Sequence, residues 1–285
     1  MSRVDSVIEV IKFIEEHLTE KLDLELIANA VNYSKYHLHR MFTDTVGLTI
    51  HDYVQRRQIT EAAKLLVFSE KPIIDIALKA GYESQQAFTT IFKAMYKESP
   101  LQFRKNEVFY PLQLEYKFDN HLDLLKEKPN AKREILLATK ADIPLWMDLV
   151  RLVIDGFPKL KEDKHVKVLK HYIKKNSAFI MKEGSIVIGI MMISFKTGSI
   201  DFLGVHPLYR NQGLTQLFLD KVICELLTNK QISITTFRKG DKADTGYRKI
   251  LKDFGFAEAE LLTEFGYPTQ KMILPKGLEG CIDNE

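Results

Sequence analysis

Cysteine is scarce in this chain. Cys224 and Cys281 are the only two among 285 residues, and they form neither a CxxC pair nor a spaced framework. A disulfide scaffold and a metal site are therefore not expected, and Cys224, on an apolar helical face, reads as a small core residue. No uncharged apolar run reaches the roughly 18 residues of a membrane span, so no membrane partner is expected. The opening stretch, MSRVDSVIEVIKFIEEHL, is too charged for a secretory leader. These absences point to a reducing, cytoplasmic setting. A strong charge of one sign is missing too, because the formal net charge is only +3.

What is present is an ordinary globular composition, 45% hydrophobic and 28% charged, on a chain too long for one comfortable core. Two domains are expected. In the first third, Val7, Ile8, Ile11, Ile14 and Leu18 recur at helical spacing, and short helices follow, broken at Gly47, Pro72, Gly81 and Pro100. An internal repeat runs through this part. Ile27-Ala28 returns as Ile76-Ala77, and Tyr33, Ser34, Leu38 and Phe42 return as Tyr82, Ser84, Phe88 and Phe92. Between the copies, Tyr53, Ile59, Ala62, Ala63 and Leu66 predict one longer connecting helix.

Each copy reads as helix, tight turn, helix, with Ser34 and Ser84 capping the second helix. Apolar positions of that helix face inward. The outward set is Lys35, Tyr36, His37, His39 and Arg40 in the first copy, and Gln85, Gln86, Thr89, Thr90 and Lys93 in the second. Such side chains near the start of a helix read base edges in a major groove, where Arg suits guanine and Gln suits adenine. Lys and Arg outnumber Asp and Glu 11 to 7 between residues 26 and 105, a mild basic excess that suits an anionic partner. Two copies on one chain reach successive groove faces about 34 Å apart. The stretches SKYHLHRMF, DYVQRRQITEAAKLL, IIDIALKAGYESQQAFTTIFK and SPLQFR resemble the AraC/XylS family of transcriptional regulators. The resemblance covers residues 7–104. It implies two helix-turn-helix units on a central helix, a double-stranded DNA operator, and recognition helices at residues 34–42 and 84–93. The family's usual Gly after the second unit is Lys97 here. The arginine that follows Arg56-Arg57 in the family is Gln58, which implies different phosphate contacts.

From residue 133 onward, strand and helix signals alternate. The runs AFIM, IVIGIMMISF and IDFLGV form a meander, with turns at Glu183-Gly184 and Thr197-Gly198. A helix over residues 214–227, the strand ISITTF, the helix GYRKILKDF and a last strand near residues 270–274 follow. At VHPLYRNQGLTQLF a strand ends, a basic loop follows and a helix begins. A helix N-terminus offers unpaired N–H groups to an anion, Gly213 lets the backbone approach closely, and Arg210 adds a cation. Taken locally, this is either a phosphate cradle or a plain strand–turn–helix. In its context it resembles the R/Q-x-x-G-x-G/A element of the GNAT superfamily of acyl-CoA-dependent N-acyltransferases. IDFLGVHP, LFLDKV and KDFGF add to that resemblance, which covers residues 133–275.

The GNAT resemblance implies acetyl-CoA as acyl donor or ligand. Arg210, Asn211, Gln212, Gly213, Leu214 and Thr215 would lie at its pyrophosphate, and the main chain of Leu203 and Val205 along its pantetheine. Thr215 replaces the motif's last Gly or Ala and puts a branched side chain beside the phosphates. A Tyr acid common in the family is Leu251 here, and Tyr247 lies one turn earlier, as a substitute acid or a packing residue. For a base the sequence offers Asp201, Glu264 or His206, or ordered water instead of any of them. The expected fold is multidomain: an all-α double helix-turn-helix domain (1–106), a linker (107–132), an α/β (α+β) GNAT domain with a mixed, mostly antiparallel sheet (133–276), and a tail (277–285). The expected function is a DNA-binding regulator carrying an N-acetyltransferase for an amine acceptor. The alternative is a regulator whose second domain only senses acyl-CoA or an amine.

Overall fold

The structure, a computed structural model, describes residues 3–117, 133–153, 161–228, 230–264 and 267–275. The expected tail lies outside these residues, as does the expected linker from 118 onward. The chain divides into two compact units, one holding residues 1–126 and the other most of residues 127–285. No helix among the described residues is long and apolar enough to cross a membrane.

The first unit is all helical: α1 (Arg3–Glu16), α2 (Leu24–Ala30), α3 (Lys35–Val46), α4 (Ile50–Phe68), α5 (Ile73–Lys79), α6 (Gln85–Tyr96) and α7 (Pro100–Asn106). Helix α1 buries Val7, Val10, Ile11 and Ile14, a stripe at helical spacing. Side-chain oxygens start the helices. Asp23 accepts from the Leu26 N–H, Ser34 from His37, Thr49 from Asp52, Ser84 from Ala87 and Ser99 from Gln102. The repeat is geometric as well as sequential. The Tyr33 N–H donates to the Ala28 carbonyl at 2.9 Å, and Tyr82 to Ala77 at 3.1 Å. Gly47 closes α3 at φ +77°, and Lys97 closes α6 in the same left-handed region at φ +64°. Lys97 therefore adopts the backbone of the glycine it replaces, at a conformational cost of about 1 kcal/mol.

Arg56 and Arg57 do not reach outward on α4; both are buried. Arg57 pairs with Glu15 at 2.8 Å and with Glu61 at 3.1 Å. Burial alone would lower its pKa, but the Glu15 carboxylate overrides that and holds the guanidinium charged. Gln58 donates to the Leu18 and Glu20 carbonyls, both at 3.1 Å, and so fastens the turn after α1 to α4. The arginine stretch is structural here rather than phosphate-facing. The residues just after α7, expected to begin a linker, also pack inward. Tyr110, Leu112 and Tyr116 are buried, the first two within the core of the second repeat.

The second unit is a seven-stranded sheet with helices against it. Its strands are β1 (Ile135–Leu137), β2 (Ala178–Glu183), β3 (Ile186–Ser194), β4 (Ser199–Val205), β5 (Ile232–Phe237), β6 (Ala257–Glu264) and β7 (Tyr267–Leu274), in the order β1-β2-β3-β4-β5-β7-β6. Every neighbouring pair is antiparallel except β4–β5, so the sheet is mixed and mostly antiparallel, as expected. Helices α8 (Ile143–Leu152), α9 (Glu162–Lys174), α10 (Leu214–Lys221) and α11 (Tyr247–Asp253) complete it. Strand β6 is an addition to the sequence reading. It is an edge strand with mostly exposed, acidic side chains, so it shows little hydrophobic alternation. Cys224, expected as a small core residue, is half-buried.

Candidate functional site

Two surfaces carry the candidate residues. On α3, one face (Leu38, Met41, Phe42, Thr45) is buried, which turns Lys35, Tyr36, His37, His39 and Arg40 outward. They are not equivalent. Lys35 is tied to Glu25 at 3.1 Å, and the His37 ring stacks on Tyr33 at 5.4 Å. His37, Arg40 and Asp44 border a groove towards α1, where Arg3 pairs with Asp44 at 2.7 Å. Tyr36 is 90% exposed, and His39 and Arg40 are exposed beside it. On α6, Gln85, Gln86, Thr90 and Lys93 are exposed, whereas Thr89 is half-buried. The Thr90 hydroxyl donates to the Gln86 carbonyl of its own helix at 3.0 Å. Ser34 and Ser84, both exposed, have their hydroxyl oxygens engaged as caps.

The second surface opens where β4 parts from β5. Only Ser199 with Ser233 and Ile200 with Ile234 are paired, although β4 continues to Val205 and β5 to Phe237. Beyond that crotch the two strands diverge. The His206 N–H donates to the Ile188 carbonyl of β3 at 2.9 Å. By strand alternation, the main-chain groups of Val205 and Leu203 point the other way, towards the gap. A wedge lined by free strand edges can take an extended, amide-bearing chain as a partial extra strand.

At the end of β4 the chain turns through Pro207–Tyr209 into α10. Gly213 caps α10 at φ +74°, and an added Cβ would meet nothing within 4 Å. The position is glycine for its backbone angle, and it faces open space. The first helical bond runs from the Leu217 N–H to the Gly213 carbonyl, so Leu214, Thr215 and Gln216 have no acceptor within the helix. The Gln212 N–H instead donates to Tyr209 at 3.1 Å and that of Arg210 to Pro207 at 3.4 Å. The open N-terminus of α10 thus lies just after Gly213, with Asn211 exposed at the rim. The Thr215 side chain is buried, so it packs into the unit rather than standing out at the helix N-terminus.

Residues the sequence did not single out brace this loop. Arg133 donates to Glu183 at 3.0 Å and to Gln212 at 2.8 Å, with its guanidinium over the Tyr209 ring at 5.4 Å. The Tyr209 hydroxyl donates to Glu183, and its pKa is raised by burial and then by that carboxylate. Helix α10 is seated directly on the sheet. Gly189 of β3 leaves room for the Phe218 ring, which would lie 2.3 Å from an added Cβ.

The catalytic candidates fall unevenly. Asp201 is exposed on β4, and both of its oxygens already accept hydroxyls, one from Ser199 at 2.7 Å and the other from Tyr172 of α9. Burial, then the Asp201 hydrogen bond, raises the Tyr172 pKa, so this phenol stays neutral. Tyr247 is half-buried at the first position of α11, while Leu251 is a core residue. His206 is buried, and its Nδ1 accepts from the Leu208 N–H at 3.3 Å, a structural use. Glu264 ends β6, half-exposed. No group of three or more metal-ligating side chains occurs among the described residues.

Comparison with known proteins bears on the first surface. A helix-turn-helix domain model matches residues 27–106. The probable transcription factor PqrA of Proteus vulgaris is 42% identical over 100 residues, which span 34% of this chain and 82% of PqrA. The regulatory protein SoxS of Escherichia coli K12 is 36% identical over 104 residues, 36% of this chain and 97% of SoxS. Among solved structures, a GNAT-family acetyltransferase from Bacillus cereus aligns over 51% of this chain and 99% of its own, at 16% identity and a TM-score of 0.40. The helical first third, where the caps, the paired turns and the outward polar faces lie, covers more than four fifths of each of the two sequence relatives, and on that ground the chain belongs to the AraC/XylS family of transcriptional regulators.

Proposed function

We propose that this regulator reads a specific DNA operator with α3 and α6, and that its second unit binds acetyl-CoA in the β4–β5 wedge and passes the acetyl group to an amine. The observation that carries the second half is the early parting of β4 from β5, directly upstream of a left-handed Gly213 and an open helix N-terminus. The N–H groups of Gly213, Leu214 and Thr215 take the pyrophosphate, with Arg210 adding charge. The main chain of Leu203 and Val205 aligns the pantetheine. Acetyl-CoA supplies an activated thioester. The Val205 N–H, aimed into the wedge, holds the developing oxyanion. Asp201 anchors or deprotonates the amine, and Tyr247, at the first position of α11 and one turn before the expected acid position, supplies a phenol for the departing thiolate.

A second reading has its own support: the unit senses acyl-CoA without turnover. Leu251, buried in the core, stands where the GNAT resemblance expects an acid, and both Asp201 oxygens are engaged. One purified full-length preparation tests these claims. It is used to select duplexes from a random pool and is screened for thiol release from acetyl-CoA over a panel of amines. Selection of a defined motif, weakened in Arg40→Ala, supports the operator reading, and no enrichment overturns it. Amine-dependent thiol release supports transfer. Saturable acetyl-CoA binding without release leaves the sensor reading in its place.

A further inference from the structure

Residues 109–116 lie beyond the matched helix-turn-helix segment, yet they run along the whole connecting helix as a strap. The contacts are ordered in opposite directions along the two chain segments. Phe109 meets Phe68 at the C-terminal end of α4, with ring centroids 5.8 Å apart. The Leu112 and Gln113 N–H groups donate to the Thr60 hydroxyl at 3.3 and 3.2 Å. Arg57 donates to the Gln113 carbonyl at 3.0 Å, and Tyr116 stacks on Tyr53 near the N-terminal end, centroids 5.3 Å apart. Helix α4, with 19 residues, is about 28 Å long, and its two ends carry the two recognition units.

The strap also joins the recognition helices through rings. Phe42 of α3 contacts Tyr53 at 5.8 Å, and Tyr53 stacks on Tyr116. Phe92 of α6 stacks on Tyr96 at 4.6 Å, Tyr96 contacts Tyr110 at 5.1 Å, and its hydroxyl donates to the Tyr110 carbonyl at 3.0 Å. An aromatic chain from each recognition helix thus ends on the same short backbone segment. Pro111 stiffens that segment by fixing its own φ. Tyr110 and Leu112 belong to the core of the second repeat, whose members begin only at Ile59, so the strap ties that core to the Phe42–Tyr53 side.

We propose that residues 109–116 set the separation and phase of the two recognition helices, and so the half-site spacing that the protein accepts on DNA. Tyr110, Leu112 and Tyr116 act as positioning residues, through Tyr96, Thr60 and Tyr53. This rests on the DNA-reading proposal above. One added base pair moves a half-site by roughly 3.4 Å along the duplex and turns it by roughly 35°. A rigid reader rejects that change, and a loosened one tolerates it.

The test uses the full-length chain and a duplex selected by it, with one base pair inserted or removed between the half-sites. Wild type is expected to lose about tenfold in affinity on either change, a penalty of the size that one defective contact brings. Tyr116→Ala and the isosteric Thr60→Val, checked for folding by circular dichroism, are expected to shrink that penalty to about threefold or less while binding a single half-site as wild type does. Thr60→Val removes one hydroxyl and carries the test if Tyr116→Ala does not fold. An unchanged spacing penalty in the folded variants overturns the strap proposal alone, as does a wild type indifferent to spacing. Failure of wild type to select any duplex overturns the DNA reading and the strap with it.

Discussion

At the scale of single residues, His165 makes the sharpest pH prediction. It is buried on α9, where the Trp146 indole N–H donates to its Nε2 at 3.2 Å and its ring meets Phe202 at 5.1 Å. An imidazole that accepts at Nε2 is neutral and carries its proton on Nδ1. Burial lowers its pKa from 6.5 to about 4, and the nearby Glu162 charge only partly opposes this. As pH falls below 6.5, the unfolded chain takes up the proton first. The contribution of His165 to stability is therefore complete above pH 6.5 and is lost progressively between 6.5 and 4, about 3 kcal/mol in all and about 2 by pH 5. Urea unfolding followed through Trp146, the sole tryptophan, reads this directly. The midpoint drops between pH 7.5 and 5 in wild type and drops less in His165→Gln. Equal drops in both would show that His165 does not set the pH response. Tyr247 has a separate prediction. If it protonates the thiolate, Tyr247→Phe slows turnover at least about tenfold with little change in acetyl-CoA affinity. Unchanged turnover, measured by thiol release, returns it to a packing role.

At the scale of elements, the close seating of α10 on β3 positions the helix N-terminus that the proposed function uses as an anion cradle. Gly189→Ala puts a methyl group 2.3 Å from the Phe218 ring. The helix must retreat, at a cost of about 1–3 kcal/mol in thermal unfolding, and acetyl-CoA affinity falls with it. Stability and affinity equal to wild type would show that α10 is not held in this way. The same scale separates what the sequence reveals from what it hides. The helix-turn-helix repeats are legible because their signals are local: Ser34 and Ser84 cap, Gly47 and Gly81 mark turns, and Phe42 and Phe92 recur in the core. The Gly213 loop is legible for the same reason. Strand β6 is not, because an exposed edge of AEAELLTE needs no apolar face. The strap is not, because Tyr110 and Tyr116 find their partners through tertiary packing. Nor is the wedge, because pairing that stops after Ile200 is a property of two strands at once. Thr215 shows the opposite failure: the motif departure is legible, but only burial reveals that its side chain turns inward.

At the scale of the whole molecule, a net charge of only +3 leaves DNA attraction to the local basic excess of residues 26–105 and the N-termini of the helices there. Binding to a selected duplex is then expected to weaken at least about fortyfold between 50 and 200 mM salt, as neutralising three or more phosphates requires. A flat salt response in gel shifts would contradict phosphate contact by this unit. On the proposed function, one chain carries a reader of DNA and a wedge that takes acyl-CoA. The second role depends above all on Gly213 and the α10 N-terminus forming a pyrophosphate cradle. Calorimetric titration of acetyl-CoA into the full-length protein tests this most directly. Saturable one-to-one binding is expected, and it vanishes in Gly213→Glu, whose carboxylate would occupy the anion position. Absence of binding in wild type, or equal affinity in the variant, would contradict the cradle.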